Sequence, residues 1–212
     1  MCVGNDVTYW AWWVRNLTVN YEILVNVNSS AARNHANASV SNEVRQLFLH
    51  TFGVNLVQVP SGPRFESSLN DLQLAPILPG TVDTRNAANV LSRVPSNRNT
   101  IRFRFVNYQL RQNNQPVRGM AWQVSGANGA QLGDMVVRTH ENPTTPVSAH
   151  ELRFVIVHEI SHIFGAFDCI VLGCFMGFYN PNRSSFFWCN RCIASISSYL
   201  NLRAVSHPEL RR

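Results

Sequence analysis

Lysine is missing: all 18 basic residues of this 212-residue chain are arginine. Charge of either sign is scarce, at 14% of residues against about 25% in ordinary soluble domains. No stretch approaches the ~18 consecutive apolar residues that cross a bilayer, so no membrane span is expected. The opening "MCVGNDVTYWAWWVRN" has neither the charged start nor the apolar centre of a secretory leader. The expectation is a chain that stays inside the cell or has shed a leader; the compartment stays open, with secretion slightly favoured over the cytoplasm. The net charge of +6 favours acidic partners at long range. Yet the arginines are scattered, and only Arg211 and Arg212 adjoin. No basic stripe follows a nucleic-acid backbone, so the charge reads as a solvated surface with no nucleic-acid partner.

What is present suffices for one domain with a real core, since 45% of residues are apolar. "YEILVNV" (21–27) and "VNLVQV" (54–59) read as strands, joined by a helix from the N-cap Ser41 to the stop at Gly53. This β-α-β opening predicts parallel pairing. Residues 60–99 read as a long loop with a short helix near Asn86–Arg93. "TIRFRFVNY" (100–108) is a strand in which Arg102 and Arg104 alternate with Ile101, Phe103 and Phe105. "RGMAWQV" (118–124) and "DMVVRT" (134–139) are two more strands. Tyr9, Trp10, Trp12 and Trp13 read as a segment packed across the domain. The predicted fold class is α/β (α+β): a twisted mixed five-stranded sheet with two main helices, then a small Cys-rich C-terminal lobe ending in a helix over 192–202. Residues 1–212 are read as a single domain, with an upper lobe of about 15–165 and a lower lobe of about 166–212.

"SAHELRFVIVHEISHIFG" carries the chemistry. Ser148 and Glu151 have capping-box spacing, and Gly165 offers a left-handed stop. On the helix between them, His158 and His162 are one turn apart and point the same way. Two imidazoles so placed can share one zinc at about 2.0–2.1 Å. Glu159, beside the first of them, can take a proton from a water at the open position. Past the helix stop, Asp168 returns where a third ligand would stand, and carboxylate oxygen bonds zinc at a similar distance. His150 lies near the helix start and reads as exposed or capping; His35, His50, His140 and His207 have no constellation around them.

"HEISHIFGAFD" followed by "CFM" resembles the metzincin zinc endopeptidases, whose signature is His-Glu-x-x-His-x-x-Gly-x-x-His and then a Met-turn. The resemblance implies zinc ligands at His158, His162 and Asp168, Glu159 as general base, and Met176 as the hydrophobic floor beneath the metal. Asp168 stands where most members have His; snapalysin-type members also have Asp. "HEISHIFGA", "GMAW" and "GCFM" are similar to the adamalysin group, in which the segment matching Gly119, Met120, Ala121 and Trp122 is the sheet's edge strand. An extended peptide would pair with that strand, and Phe178, Tyr179 and Pro181 would wall the specificity pocket. The resemblance is specific over about 150–192 and compatible over 20–140.

Cys169, Cys174, Cys189 and Cys192 form C-x4-C-x14-C-x2-C, which suits a tetrathiolate zinc knuckle. The pattern resembles the archaemetzincins, which hold a second, structural zinc this way; two disulfides are the competing reading. Cys2 is left over. The chain is thus expected to be a monomeric zinc endopeptidase acting on protein or peptide substrates, with one catalytic Zn2+ and, in the tetrathiolate reading, a structural one. Its rivals are a catalytically silent metzincin-like domain that binds a partner through its cleft, and a binding module organised by the four cysteines.

Overall fold

Leu17–Val25 (β1) buries Leu17, Val19, Tyr21 and Ile23 on one face, the period of two that a half-covered strand demands. The computed structural model that shows this describes residues 17–67, 69, 81–83, 100–112, 115–123, 133–142, 145–183 and 185–206. Cys2, the Tyr9–Trp13 aromatics, His207 and the helix expected near Asn86–Arg93 lie outside the described residues. β1 lies between β2 and β5 in a sheet ordered β2-β1-β5-β9-β8, with β2 at Val54–Gln58, β5 at Thr100–Val106, β8 at Gly119–Trp122 and β9 at Gly133–Arg138. β2, β1, β5 and β9 run parallel, and β8 closes that order antiparallel to β9. These five are the strands read from the sequence, within a few residues.

Three helices cover one face: α1 (Ser30–Ser39), α2 (Asn42–Phe52) and α3 (Ala149–Ile163). α2 ends as expected, with Gly53 at φ 68° donating its N–H to Leu49 O. Phe48 is fully buried and meets Phe52, Phe164 and Trp188 at ring separations of 5.2–6.1 Å, tying α2 to the lower lobe. α1 is an addition to the two main helices. Its sequence SAARNHANAS buries just Ala36 and Ser39, so it carries almost no apolar period.

Residues 60–99 are not all loop. β3 (Arg64–Phe65) pairs with β1, and β4 (Thr81–Asp83) joins β6 (Gln109–Gln112) and β7 (Gln115–Val117) in a small second sheet. Two short strands, β10 (His140–Asn142) and β11 (Thr145–Pro146), lead into α3. The lower lobe runs from Ala166 through an irregular loop to α4 (Asn190–Ser206).

The solvated reading of Arg102 and Arg104 is overturned: both side chains are 1% exposed. A second apolar cluster that includes Leu24, Val106, Tyr108, Leu110, Met120 and Val136 covers that face of the sheet. Asp134, in register opposite Arg102, takes it in two hydrogen bonds of 2.8 and 3.0 Å and lies 3.1 Å from Arg104 Nη1. Buried charges persist only when paired in this way. Among the described residues no helix is long and apolar enough to cross a membrane.

Candidate metal centres and the cleft between the lobes

α3 starts where the capping spacing places it, with Ser148 accepting a hydrogen bond from Glu151 N–H at 3.1 Å. The Glu151 carboxylate does not close the box; it pairs with Arg118 on the approach to β8. The helix ends in a Schellman motif: Ala166 N–H donates to Ser161 O and Gly165 N–H to His162 O, both at 2.9 Å. Gly165 adopts φ 84°, and a Cβ there would lie 2.9 Å from Tyr199 Cβ of α4. Glycine at this position therefore permits both the reversal and the close seating of the lower lobe. Three residues after Gly165 the chain presents Asp168.

His158 Nε2 lies 3.0 Å from His162 Nε2, and Asp168 Oδ1 lies 3.3 and 3.4 Å from the two nitrogens. Ligand atoms about 2.0–2.1 Å from a tetrahedral ion are spaced about 3.3–3.4 Å apart, so the triangle has the dimensions of zinc coordination. The tautomers agree. His158 Nδ1 lies 2.7 Å from Phe175 O, and His162 Nδ1 lies 2.9 Å from Ala166 O. A carbonyl only accepts, so each Nδ1 carries the proton and each Nε2 turns a lone pair inward. Two imidazole lone pairs and a carboxylate oxygen aimed at one point repel each other unless a cation joins them. The donor set therefore fits a divalent metal.

The electrostatics point the same way. Burial pushes the His158 pKa down, but the Asp168 hydrogen bond, the Glu159 charge and the Phe175 carbonyl outweigh it, and the net direction is up. His162 is lowered, by burial first and then by the charge of His158. Asp168 is 80% exposed, and its pKa is lowered by its hydrogen bond to His158 and the charges of both imidazoles. Glu159 is buried, and burial pushes its carboxyl up to about 7, with Asp168 adding to the rise and His158 opposing it.

A cleft of about 880 Å³ opens over this triangle. Gly119, Met120, Ala121 and Trp122 form one side, Glu159 and the two histidines the back, and Met176, Phe178 and Tyr179 the other wall. β8 ends the order of the main sheet, so one of its edges faces this space. Pro181 is exposed and lies outside the lining. Met176 is 1% exposed, within a turn closed by Gly177 N–H to Cys174 O at 2.9 Å. The Tyr179 hydroxyl lies 3.1 Å from His150 Nδ1, at the opposite end of α3 from His162. His150 is exposed, as expected.

Three cleft features were missed in the sequence, two of them without any signal there. Gln123 Nε2 donates to Ile163 O at 3.2 Å, joining the end of β8 to the end of α3. Arg118 is held by Glu141 and Glu151 at the cleft rim. Phe167 also lines the cleft; its apolar ring beside Asp168, in a loop, was the one available hint.

One peptide unit beyond Asp168 a second cluster begins. Cys169, Cys174, Cys189 and Cys192 are free thiols whose sulfurs lie within 4.8 Å of one another. Cys174 Sγ is 3.7 Å from Cys192 Sγ, which is 3.5 Å from Cys189 Sγ. A disulfide bond is about 2.05 Å, whereas sulfurs about 2.3 Å from a tetrahedral zinc are spaced about 3.8 Å apart. Met176 and Cys189 direct their backbone N–H groups at Cys174 Sγ, at 3.5 and 3.4 Å; burial still outweighs them and pushes the Cys174 thiol up.

No protein-family model and no curated protein matches the chain. Solved structures do. The chain is similar to archaemetzincin from Methanopyrus kandleri, at a TM-score of 0.61 and 14% identity over 86% of this chain and 96% of that one. Archaemetzincin from Archaeoglobus fulgidus, complexed with malonate, gives a TM-score of 0.50 and 16% identity over 83% and 99%. Metalloproteinase-II from Bacteroides fragilis gives 0.57 and 10% over 89% and 54%. At such identities the likeness is one of fold: a mixed α/β archaemetzincin-like metallopeptidase architecture.

Proposed function

We propose that this chain is a zinc-dependent endopeptidase of the metzincin type, with His158, His162 and Asp168 as ligands of the catalytic metal. One observation carries the reading: three donor atoms 3.0–3.4 Å apart, two of them fixed in the metal-binding tautomer, beside a buried glutamate. When bound there, zinc supplies the Lewis acidity that activates water and polarises a peptide carbonyl. Glu159 accepts the proton of the attacking water and returns it to the departing amine. The Phe175 and Ala166 carbonyls hold the imidazole rings in place. Among the described residues β8 has no partner on its outer side, and that edge aligns an extended peptide by main-chain hydrogen bonds, as in strand addition. Met176 forms the apolar floor of the turn below, and Phe178 and Tyr179 flank the bound chain.

For the four cysteines we propose a structural zinc, supported by the free thiols and their spacing near a tetrahedral edge. The substrates are proteins or peptides, and the expected state is a monomer. Glu159→Gln tests the reading: zinc content should stay the same, while peptide hydrolysis falls about 10²–10⁴-fold. Hydrolysis at the wild-type rate by a zinc-replete variant would remove Glu159 as the base. A wild type that holds zinc but cleaves nothing would leave the silent, partner-binding domain as the better reading.

A further inference from the structure

The main sheet holds a second crevice, at the carboxyl ends of its parallel strands. The chain leaves β1 toward β2 on one side and leaves β5 toward β8 and β9 on the other. The connections therefore part between β1 and β5, and open α/β sheets bind their ligands outside the strand ends at such a divide. A cavity of about 220 Å³ lies there, lined by Val25, Asn26 and Val27 from β1 and by Phe105 and Asn107 from β5. It shares no lining residue with the metal cleft. Ala31, Ala32 and His35 of α1 also line it, which gives that helix a role its two buried residues do not.

The polar groups of this cavity are mostly donors. Asn26 Nδ2 donates to Asn107 Oδ1 at 2.8 Å, and Asn107 N–H donates to Asn26 Oδ1 at 3.2 Å. Both side-chain oxygens thus already accept, and the Asn107 amide keeps hydrogens to give. Thr139 Oγ1, 2.8 Å from His140 Nδ1, steadies the second imidazole. His35 Nε2 is buried and meets no hydrogen-bond partner. Buried polar atoms are nearly always paired, so this nitrogen marks a place for one more group. A shared metal does not suit the two rings, whose centres are 6.4 Å apart against 4.6 Å for His158 and His162. Among the described lining residues there is no carboxylate to repel an anion. Burial first, then the charge of His140, lowers the His35 pKa, and an anion beside the rings opposes both causes.

We propose that this crevice binds a small organic carboxylate, whose oxygens accept from His35 and the Asn107 amide while its carbon body lies against Val25, Phe105 and Pro146. Its volume is below the ~300–1,000 Å³ of pockets for drug-sized ligands, so a short-chain acid fits and a peptide does not. Inorganic phosphate would leave the apolar wall unused. The site stands apart from the peptidase reading of the metal cleft.

The experiment is a titration of the full, zinc-loaded chain with 13C-labelled histidine rings, followed by NMR at constant pH. The probes are sodium butyrate, butyramide (the same shape without the charge) and sodium phosphate, with His35→Gln and His140→Gln assigning the two rings. Butyrate should shift the His35 and His140 resonances together and saturably, with a Kd of about 1 mM or tighter. Butyramide and phosphate should bind at least about tenfold more weakly. Read at His140, His35→Gln should weaken butyrate about tenfold, the scale of one charge-assisted hydrogen bond, with zinc content unchanged. Absence of a saturable shift at His35 in the wild type overturns the proposal, whether or not the variants fold. So do shifts confined to His158 and His162, which place butyrate at the metal centre alone. Equal binding of butyramide overturns the choice of an anion, and equal binding of phosphate overturns the organic body. Failure of the chain to cleave peptides strikes the peptidase reading and leaves these resonances as they are.

Discussion

Glu159 Oε1 occupies the space beside Gly119, where a Cβ would lie only 2.7 Å away. The same added atom would lie 2.8 Å from Val155 Cγ1. The edge strand therefore reaches α3 only because residue 119 has no side chain. Gly119→Ala should push the carboxylate or the strand aside and lower kcat/KM about 10²-fold, the scale of a 1 Å misplacement in an active site. Zinc content and the unfolding midpoint are the controls. A variant as active as the wild type would show that Glu159 and β8 need not approach so closely.

The two clusters differ in access, and metal release should show it. Asp168 is 80% exposed, whereas Cys174 is fully buried and Cys192 2% exposed. A dipicolinate-type chelator should remove one zinc quickly with loss of hydrolysis, and the second slowly with loss of folded structure. The measurement is zinc by atomic absorption alongside far-UV circular dichroism, under reducing conditions. A single zinc per chain with no titratable thiol among the four cysteines would favour the disulfide reading.

Asp134 is shared by two guanidinium groups that are each 1% exposed. Asp134→Ala leaves both buried without that carboxylate and should cost about 3–5 kcal/mol of stability. Urea unfolding by tryptophan fluorescence reads the loss. A shift smaller than about 1 kcal/mol would mean that water or a rearranged partner already screens this pair.

Hydrolysis should fade on the acid side. The base must be ionised, and burial pushes Glu159 up to about 7. A dication beside it favours the ionised form. The acid limb of kcat/KM at saturating zinc should therefore fall below pH 7, with activity lost as pH drops through the Glu159 pKa. Activity that rises steadily on acidification from pH 7 would exclude a carboxylate base.

The readable parts of the sequence were those with a local period or a local stereochemical demand. The strand at Thr100–Val106, the i,i+4 histidines and the glycine stops at Gly53 and Gly165 all rest on signals within a few residues, and the structure has each of them. What escaped depends on distant partners. Arg102 and Arg104 alternate with apolar residues as solvent-facing charges do, and only Asp134, some thirty residues on, reveals a second covered face. α1 buries two small residues and so leaves no period to detect. Among the described residues β4 pairs with β6 and β6 with β7, none longer than four residues, too short to alternate visibly. At the site, the three metal-binding side chains were legible by spacing. The carbonyls that fix their tautomers were not, because Phe175 O reaches His158 from seventeen residues away.

Asp168 and Cys169 are neighbours in the chain yet turn to different centres. Their Cα atoms are held about 3.8 Å apart by one rigid amide plane. In the proposed reading, whatever loosens the sulfur cage swings the carboxylate as well, so oxidation of the four thiols would silence the hydrolytic centre. The thiol cage would then serve as a redox fuse for the enzyme.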